Sequence, residues 1–196
     1  TVSPDYESIL KRWRPQPGDT VIDPGAFIGR HTLAYARDVG PEGRVIALEP
    51  HPANFQLLKR NVEANGYKNV TCVQAALADH SGQGRLAYDR ETSTSALATG
   101  QARTVPVQVR RLDDLLSELQ VPRVDLMKID VEGAELEVLE GGDRTLSREP
   151  RPRFIIENHH VASTDCPVLR LLKHRGYEME TVSDNDRHFY VTGQDG

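Results

Sequence analysis

Apolar residues in this chain follow two rhythms. Thr20–Asp23, Val45–Leu48, Val70–Val73, Val124–Ile129 and Phe154–Ile156 are short, nearly continuous apolar runs, as expected of strands covered on both faces. The first is entered through the turn Pro15-Gln16-Pro17-Gly18-Asp19. Helical spacing fills the gaps. His31–Val39 predicts a helix ended by Gly40-Pro41-Glu42-Gly43, and Pro52–Asn65 a second, with Phe55, Leu58 and Val62 on one face and Gly66 just past its end. Glu132–Leu139 and Val168–Arg175 predict two more helices, and Tyr177–Val182 with His188–Val191 a closing hairpin around Ser183-Asp184-Asn185-Asp186. Alternating strands and helices make βαβ units, hence a parallel sheet with helices on both faces. The rhythm breaks between Ser81 and Arg111. There Leu86 and Tyr88, then Val105, Val107 and Val109, alternate with polar residues, so two extra strands are expected, with the loop Glu91–Ser95 between them. Asp113 is expected to cap a short helix running through Leu119.

Composition narrows this picture without changing it. The 196 residues favour one domain spanning the whole chain, with a core of its own. Charged residues at 27% and hydrophobic ones at 38% are ordinary for a folded domain. No apolar run reaches the ~20 residues of a membrane span. Cys72 and Cys166 lack the spacing of a disulfide framework or a zinc site, so two reduced thiols and a cytoplasmic location are expected. The net charge of −5 argues against a nucleic-acid partner, which calls for a basic face.

The turn after the first strand carries the chemistry. Its order, Asp23-x-Gly25-x-x-x-Gly29, has neither the G-x-G-x-x-G of a dinucleotide fold nor the Gly-Lys-Ser/Thr of a P-loop. A carboxylate ahead of the first glycine suits a cationic ammonium and would repel a pyrophosphate. Gly25 lets the backbone approach closely, and Gly29 lets the helix pack on the strand. Glu49 ends the second strand, placed to accept hydrogen bonds from a ribose diol.

Four blocks then occur in order: Ile22-Asp23-Pro24-Gly25-Ala26-Phe27-Ile28-Gly29; Leu48-Glu49-Pro50-His51-Pro52-Ala53-Asn54-Phe55 with Leu58 and Asn61; Leu112-Asp113-Asp114-Leu115; and Met127-Lys128-Ile129-Asp130-Val131-Glu132-Gly133-Ala134-Glu135. From about Thr20 to Asn158 the chain resembles the FkbM family of S-adenosylmethionine-dependent O-methyltransferases. The resemblance implies a Rossmann-like seven-strand methyltransferase sheet, mostly parallel with the last strand antiparallel. The two extra strands then form a small β insertion between strands three and four. It also implies S-adenosylmethionine as cofactor, held by Asp23, Gly25, Gly29 and Glu49, and a small-molecule, sugar, glycan or polyketide-type hydroxyl as acceptor. Two departures from the family pattern stand out. Pro24 replaces an aliphatic residue and removes an N–H, and Phe27 stands where a small polar residue is common.

Methyl transfer to an alcohol needs alignment and a proton acceptor. Alternation places Lys128 and Asp130 on one side of strand four, as an ion pair or as catalytic groups. Asp130 is the expected base, with Glu157 and His159 as further catalytic candidates and His160 beside them. Glu132 is expected to begin the next helix, and Glu135 and Glu137 to face solvent or serve structure. Asp130, Glu157 and Asn158 offer hard oxygen ligands in an arrangement that resembles the magnesium site of catechol O-methyltransferase-like enzymes, so Mg²⁺ is a second candidate cofactor. Two other classes compete. One is a non-catalytic S-adenosylmethionine-binding domain, which would not need acids at three strand ends. The other is an NAD(P)-dependent oxidoreductase, disfavoured by the missing middle glycine and the absence of a Tyr-x-x-x-Lys pair.

Overall fold

The computed structural model describes residues 14–88, 95–97, 103–157, 166–181 and 188–193. In chain order these form β1 (Thr20–Pro24), α1 (Arg30–Val39), β2 (Arg44–Leu48), α2 (Pro52–Ala64), β3 (Val70–Val73), β4 (Ala76–Leu77), β5 (Gly82–Tyr88), β6 (Ser95–Leu97), β7 (Thr104–Arg110), α3 (Leu112–Glu118), β8 (Leu126–Ile129), α4 (Glu135–Glu140), α5 (Asp143–Leu146), β9 (Arg153–Glu157), α6 (Pro167–His174), β10 (Tyr177–Thr181) and β11 (His188–Gly193).

Seven strands build the main sheet in the order β10-β11-β9-β8-β1-β2-β3. Strands β9, β8, β1, β2 and β3 run parallel, and β11 is antiparallel to both of its neighbours. The pleat explains how the sheet is sandwiched. Along β1, Val21 faces Tyr35, Ala36 and Val39 of α1, while Ile22 joins Leu115, Val138 and Leu172 on the other side. Thr32, Tyr35, Ala36 and Val39 are the buried residues of α1, spaced along one helical stripe.

The insertion is larger than the two strands the alternation predicts. It is a second sheet of four, in the order β4-β7-β5-β6, with a small core of Ala76, Ala78, Leu86, Val107 and Val109. Strands β4 and β6 are two and three residues long, too short for alternation to register. Of the expected Glu91–Ser95 loop, Ser95 instead opens β6 and residues 91–94 lie outside the described residues, as does the Ser183–Asp186 turn.

Two local expectations are corrected. Asp113 does not cap its own helix; Arg111 is the N-cap of α3. The buried Asp113 carboxylate instead accepts hydrogen bonds from the Arg144 N–H (2.8 Å), the Thr145 N–H (3.0 Å) and Thr145 Oγ1 (2.6 Å). It therefore satisfies the first turn of α5, a distant helix end with the same need for an acceptor. Glu132 does not open a helix either. It sits at φ +53° and Gly133 at φ +105°, and α4 starts at Glu135, whose buried carboxylate accepts the Gly133 N–H at 2.9 Å. The segment Val131–Ala134 is thus a tight loop leaving the end of β8.

Candidate functional site

The carboxyl ends of β1, β2 and β8 converge on a cavity of about 240 Å³. Its floor is the turn after β1, through Pro24, Gly25 and Phe27. One wall comes from Glu49, Pro50 and Asn54 after β2, and another from Ala75, Ala76, Leu77 and Leu86 of the small sheet. Asp130, Val131, Glu132 and Ala134 close the far side. Such a crevice, outside the strand ends of an open α/β sheet, is where ligands bind.

Gly25 is required by contact and Gly29 by its backbone conformation. Gly25 lies at φ +77°, and a Cβ there would come 1.8 Å from the Asp130 carbonyl oxygen. Gly29 lies at φ +94° as the N-cap of α1, and a Cβ there would press on Leu58 of α2 at 2.8 Å. The N–H groups of Gly25 and Ala26 both donate to the Leu48 carbonyl, at 3.0 and 2.9 Å, and Asn61 Nδ2 donates to the Ile28 carbonyl at 2.7 Å. The turn is therefore clamped between β2, α2 and the end of β8.

Glu49 faces the cavity and is 4% exposed. Its Oε2 accepts the Phe27 N–H at 3.0 Å and its Oε1 the His51 N–H at 2.8 Å. Burial pushes its carboxyl up to about 7, against the lowering effect of those backbone donors. The Asn54 side chain adds a third hydrogen bond to the carboxylate, which leaves acceptor capacity on it for a ligand.

Asp23 and Gly29 do not line the cavity. Asp23 is wholly buried beneath the turn, where its Oδ2 accepts Thr32 Oγ1 at 2.6 Å and its Oδ1 has no hydrogen-bond donor. Desolvation raises its pKa, opposed by the Lys128 charge and the Thr32 hydrogen bond. Lys128 is 4% exposed, with Nζ 2.7 Å from Asp130 Oδ2. The two residues do share one side of β8, as alternation predicts.

One participant escaped the sequence reading. His31, two residues past Gly29, is depressed to about 4 by burial first and then by Lys128 and Arg30, with Asp130 and Glu157 opposing. Those couplings put the imidazole in one neighbourhood with Lys128, Asp130 and Glu157. The only advance signal was its place after the glycine turn. Asn158, His159 and His160 lie outside the described residues, so the expected magnesium set is described only as Asp130 and Glu157. Among the described residues no group of three or more His, Cys, Asp or Glu side chains could hold a metal ion.

The family model for the methyltransferase FkbM domain matches residues 23–179. The chain belongs to the FkbM methyltransferase family. It is 29% identical to the 31-O-demethyl-FK506 methyltransferase FkbM of Streptomyces tacrolimicus, over 90% of this chain and 78% of that protein. It is 27% identical to the hexuronic acid methyltransferase AglP of Haloferax volcanii, over 90% and 70%. A crystallised FkbM methyltransferase of Methylobacillus flagellatus superposes with a TM-score of 0.63 at 22% identity, over 91% of this chain. This chain spans 44% of that one. The fold is therefore the Rossmann-like sheet of S-adenosylmethionine-dependent methyltransferases, and the family's cofactor is S-adenosylmethionine.

Proposed function

We propose that this FkbM-family domain transfers the methyl group of S-adenosylmethionine to a hydroxyl of a small-molecule, sugar, glycan or polyketide-type acceptor. The observation that carries the reading is the single cavity bordered by the glycine turn, Glu49 and Asp130. The residues fit the cofactor on two counts. Glu49 presents a carboxylate with free acceptor directions for a ribose diol. Asp23 Oδ1 is a buried acceptor without a donor, next to the turn where an amino-acid ammonium would lie. When bound, the cofactor supplies an activated methyl group on a cationic sulfur.

The chain's own work is alignment and proton transfer. Gly25 and Gly29 hold the turn against β8 and α2, which fixes the floor of the cavity relative to Asp130. Asp130 borders that cavity and accepts the acceptor's proton as the carbon–oxygen bond forms. Lys128 holds the Asp130 carboxylate in place through a charge-assisted bond of 2.7 Å.

A small acceptor is supported by the net charge of −5, since a nucleic-acid backbone calls for a basic face. The names of the two relatives, a hexuronic acid methyltransferase and a 31-O-demethyl-FK506 methyltransferase, support the hydroxyl class. The test is methyl transfer from labelled S-adenosylmethionine to paired acceptors with a free or a blocked hydroxyl. Label is expected only in the free-hydroxyl member of each pair; equal labelling of both would overturn the O-methyl reading.

A further inference from the structure

Phe27 occupies a backbone position that its side chain does not favour. It lies at φ +50°, in the left-handed region where glycine and asparagine are at ease and bulky residues are strained. The backbone task there, donating an N–H to Glu49 Oε2 at 3.0 Å, could be done by any residue with an N–H. Nothing in the turn itself asks for a ring. Yet the ring lines the cavity and is 37% exposed, and Phe27 and Leu57 are the exposed large apolar residues among those described. Strain combined with an exposed aromatic face on a cavity wall points to a ligand contact.

The neighbourhood says which part of a ligand. Gly25 abuts the Asp130 carbonyl, so the turn and the end of β8 are in contact, and Phe27 and Asp130 border the same space. Asp130 alone is a poor attractor for a cation, because Lys128 Nζ lies 2.7 Å away and offsets its charge. An aromatic face attracts a cation without carrying a charge to be neutralised. We propose that the Phe27 ring is the cation–π contact for the positively charged sulfur of S-adenosylmethionine. The inference rests on the cofactor reading above and adds a discrimination: the ring favours the cationic methyl donor over the neutral thioether product.

Calorimetry with the donor and with S-adenosylhomocysteine, on wild type, Phe27→Leu and Phe27→Asn, tests this. Phe27→Leu keeps apolar bulk and loses the ring, and is expected to weaken S-adenosylmethionine roughly 3- to 30-fold while S-adenosylhomocysteine changes less than about twofold. Phe27→Asn, better suited to the left-handed turn, should lose donor affinity similarly yet unfold without ligand at no lower temperature than wild type. Equal losses for both ligands would make the ring a plain apolar cover and overturn the proposal, as would no loss for either. A loss seen only as a raised acceptor KM would assign the ring to the acceptor and overturn it too. Wild-type protein that binds neither ligand would instead sink the cofactor reading on which the proposal stands.

Discussion

Glu49 and Asp130 stand on opposite sides of the cavity, and their surroundings are built on opposite plans. Glu49, at the end of β2, is tied mainly by the backbone N–H groups of Phe27 and His51, with one side-chain hydrogen bond from Asn54. Asp130, just beyond β8, is tied to a buried lysine and stands in the electrostatic neighbourhood of the half-buried His31 imidazole. The two backbone donors cannot be changed by a point substitution without changing the turn, so the Glu49 side is largely a fixed mould, suited to one invariant ligand. The Asp130 side is held by side chains, each replaceable. That plan suits a variable partner and a group whose charge state is part of the reaction.

Substitutions at the two sides should therefore separate chemistry from binding. Asp130→Asn keeps the shape and removes the base; kcat should fall roughly 10²–10⁴-fold while cofactor affinity stays within a few-fold. If that variant is mild and His159→Ala is severe, the base is the histidine and the contrast between the two sides collapses. Lys128→Met should cost about 2–3 kcal/mol of stability in chemical denaturation, since it leaves Asp130 and the buried Asp23 unbalanced, discounted because the Asp130 side chain is a quarter exposed. Wild-type stability in that variant would mean the pair is dispensable to the fold.

Glu49→Gln should weaken S-adenosylmethionine by about 1–3 kcal/mol in calorimetry and leave kcat at saturating cofactor largely intact. The same variant checks the sign of a pH effect. Burial raises the Glu49 carboxyl from 4.5 to about 7, so between those values the folded protein holds a proton that the unfolded chain has lost. The contribution of this group to stability therefore falls as pH rises through that window. Ligand hydroxyls need the carboxylate, so cofactor affinity should rise over the same range. Both slopes should flatten in Glu49→Gln, and a slope that persists would place the titration elsewhere. The smallest expected effect is that of EDTA, which should leave turnover unchanged. Loss in EDTA with recovery on added magnesium would recruit Asp130, Glu157 and Asn158 as ligands.

The periodicities that made β1, β2, β3, β8 and β9 legible are consequences of burial on both faces, which leaves a strong local signature. The glycine turn was legible because its spacing is itself the constraint. What escaped was of a different kind. Asp113 looks like a cap for the helix it opens, and its true target, Thr145, is 32 positions away, a contact only the assembled fold creates. The positive φ of Phe27 and Glu132 is imposed by the clamped turn and by the exit from β8, and no residue type announces it. His31 belongs to the Asp130 neighbourhood only because α1 starts where β1 and β8 end. Strands as short as β4 have too few residues to alternate.

The placement of β11 between β9 and β10 has a bearing on how the chain is made. The sheet skips a position when β10 is laid down, and only β11 joins that strand to the rest. A nascent chain that has emerged as far as Thr181 therefore carries β9 as an open edge, with the apolar Phe154, Ile155 and Ile156 unpaired on one side. During that interval the edge is a template for any other strand in reach, including β9 of a neighbouring nascent copy on the same message. The antiparallel strand acts as a late keystone, and slowing elongation after β10 should raise the yield of aggregated rather than of inactive protein.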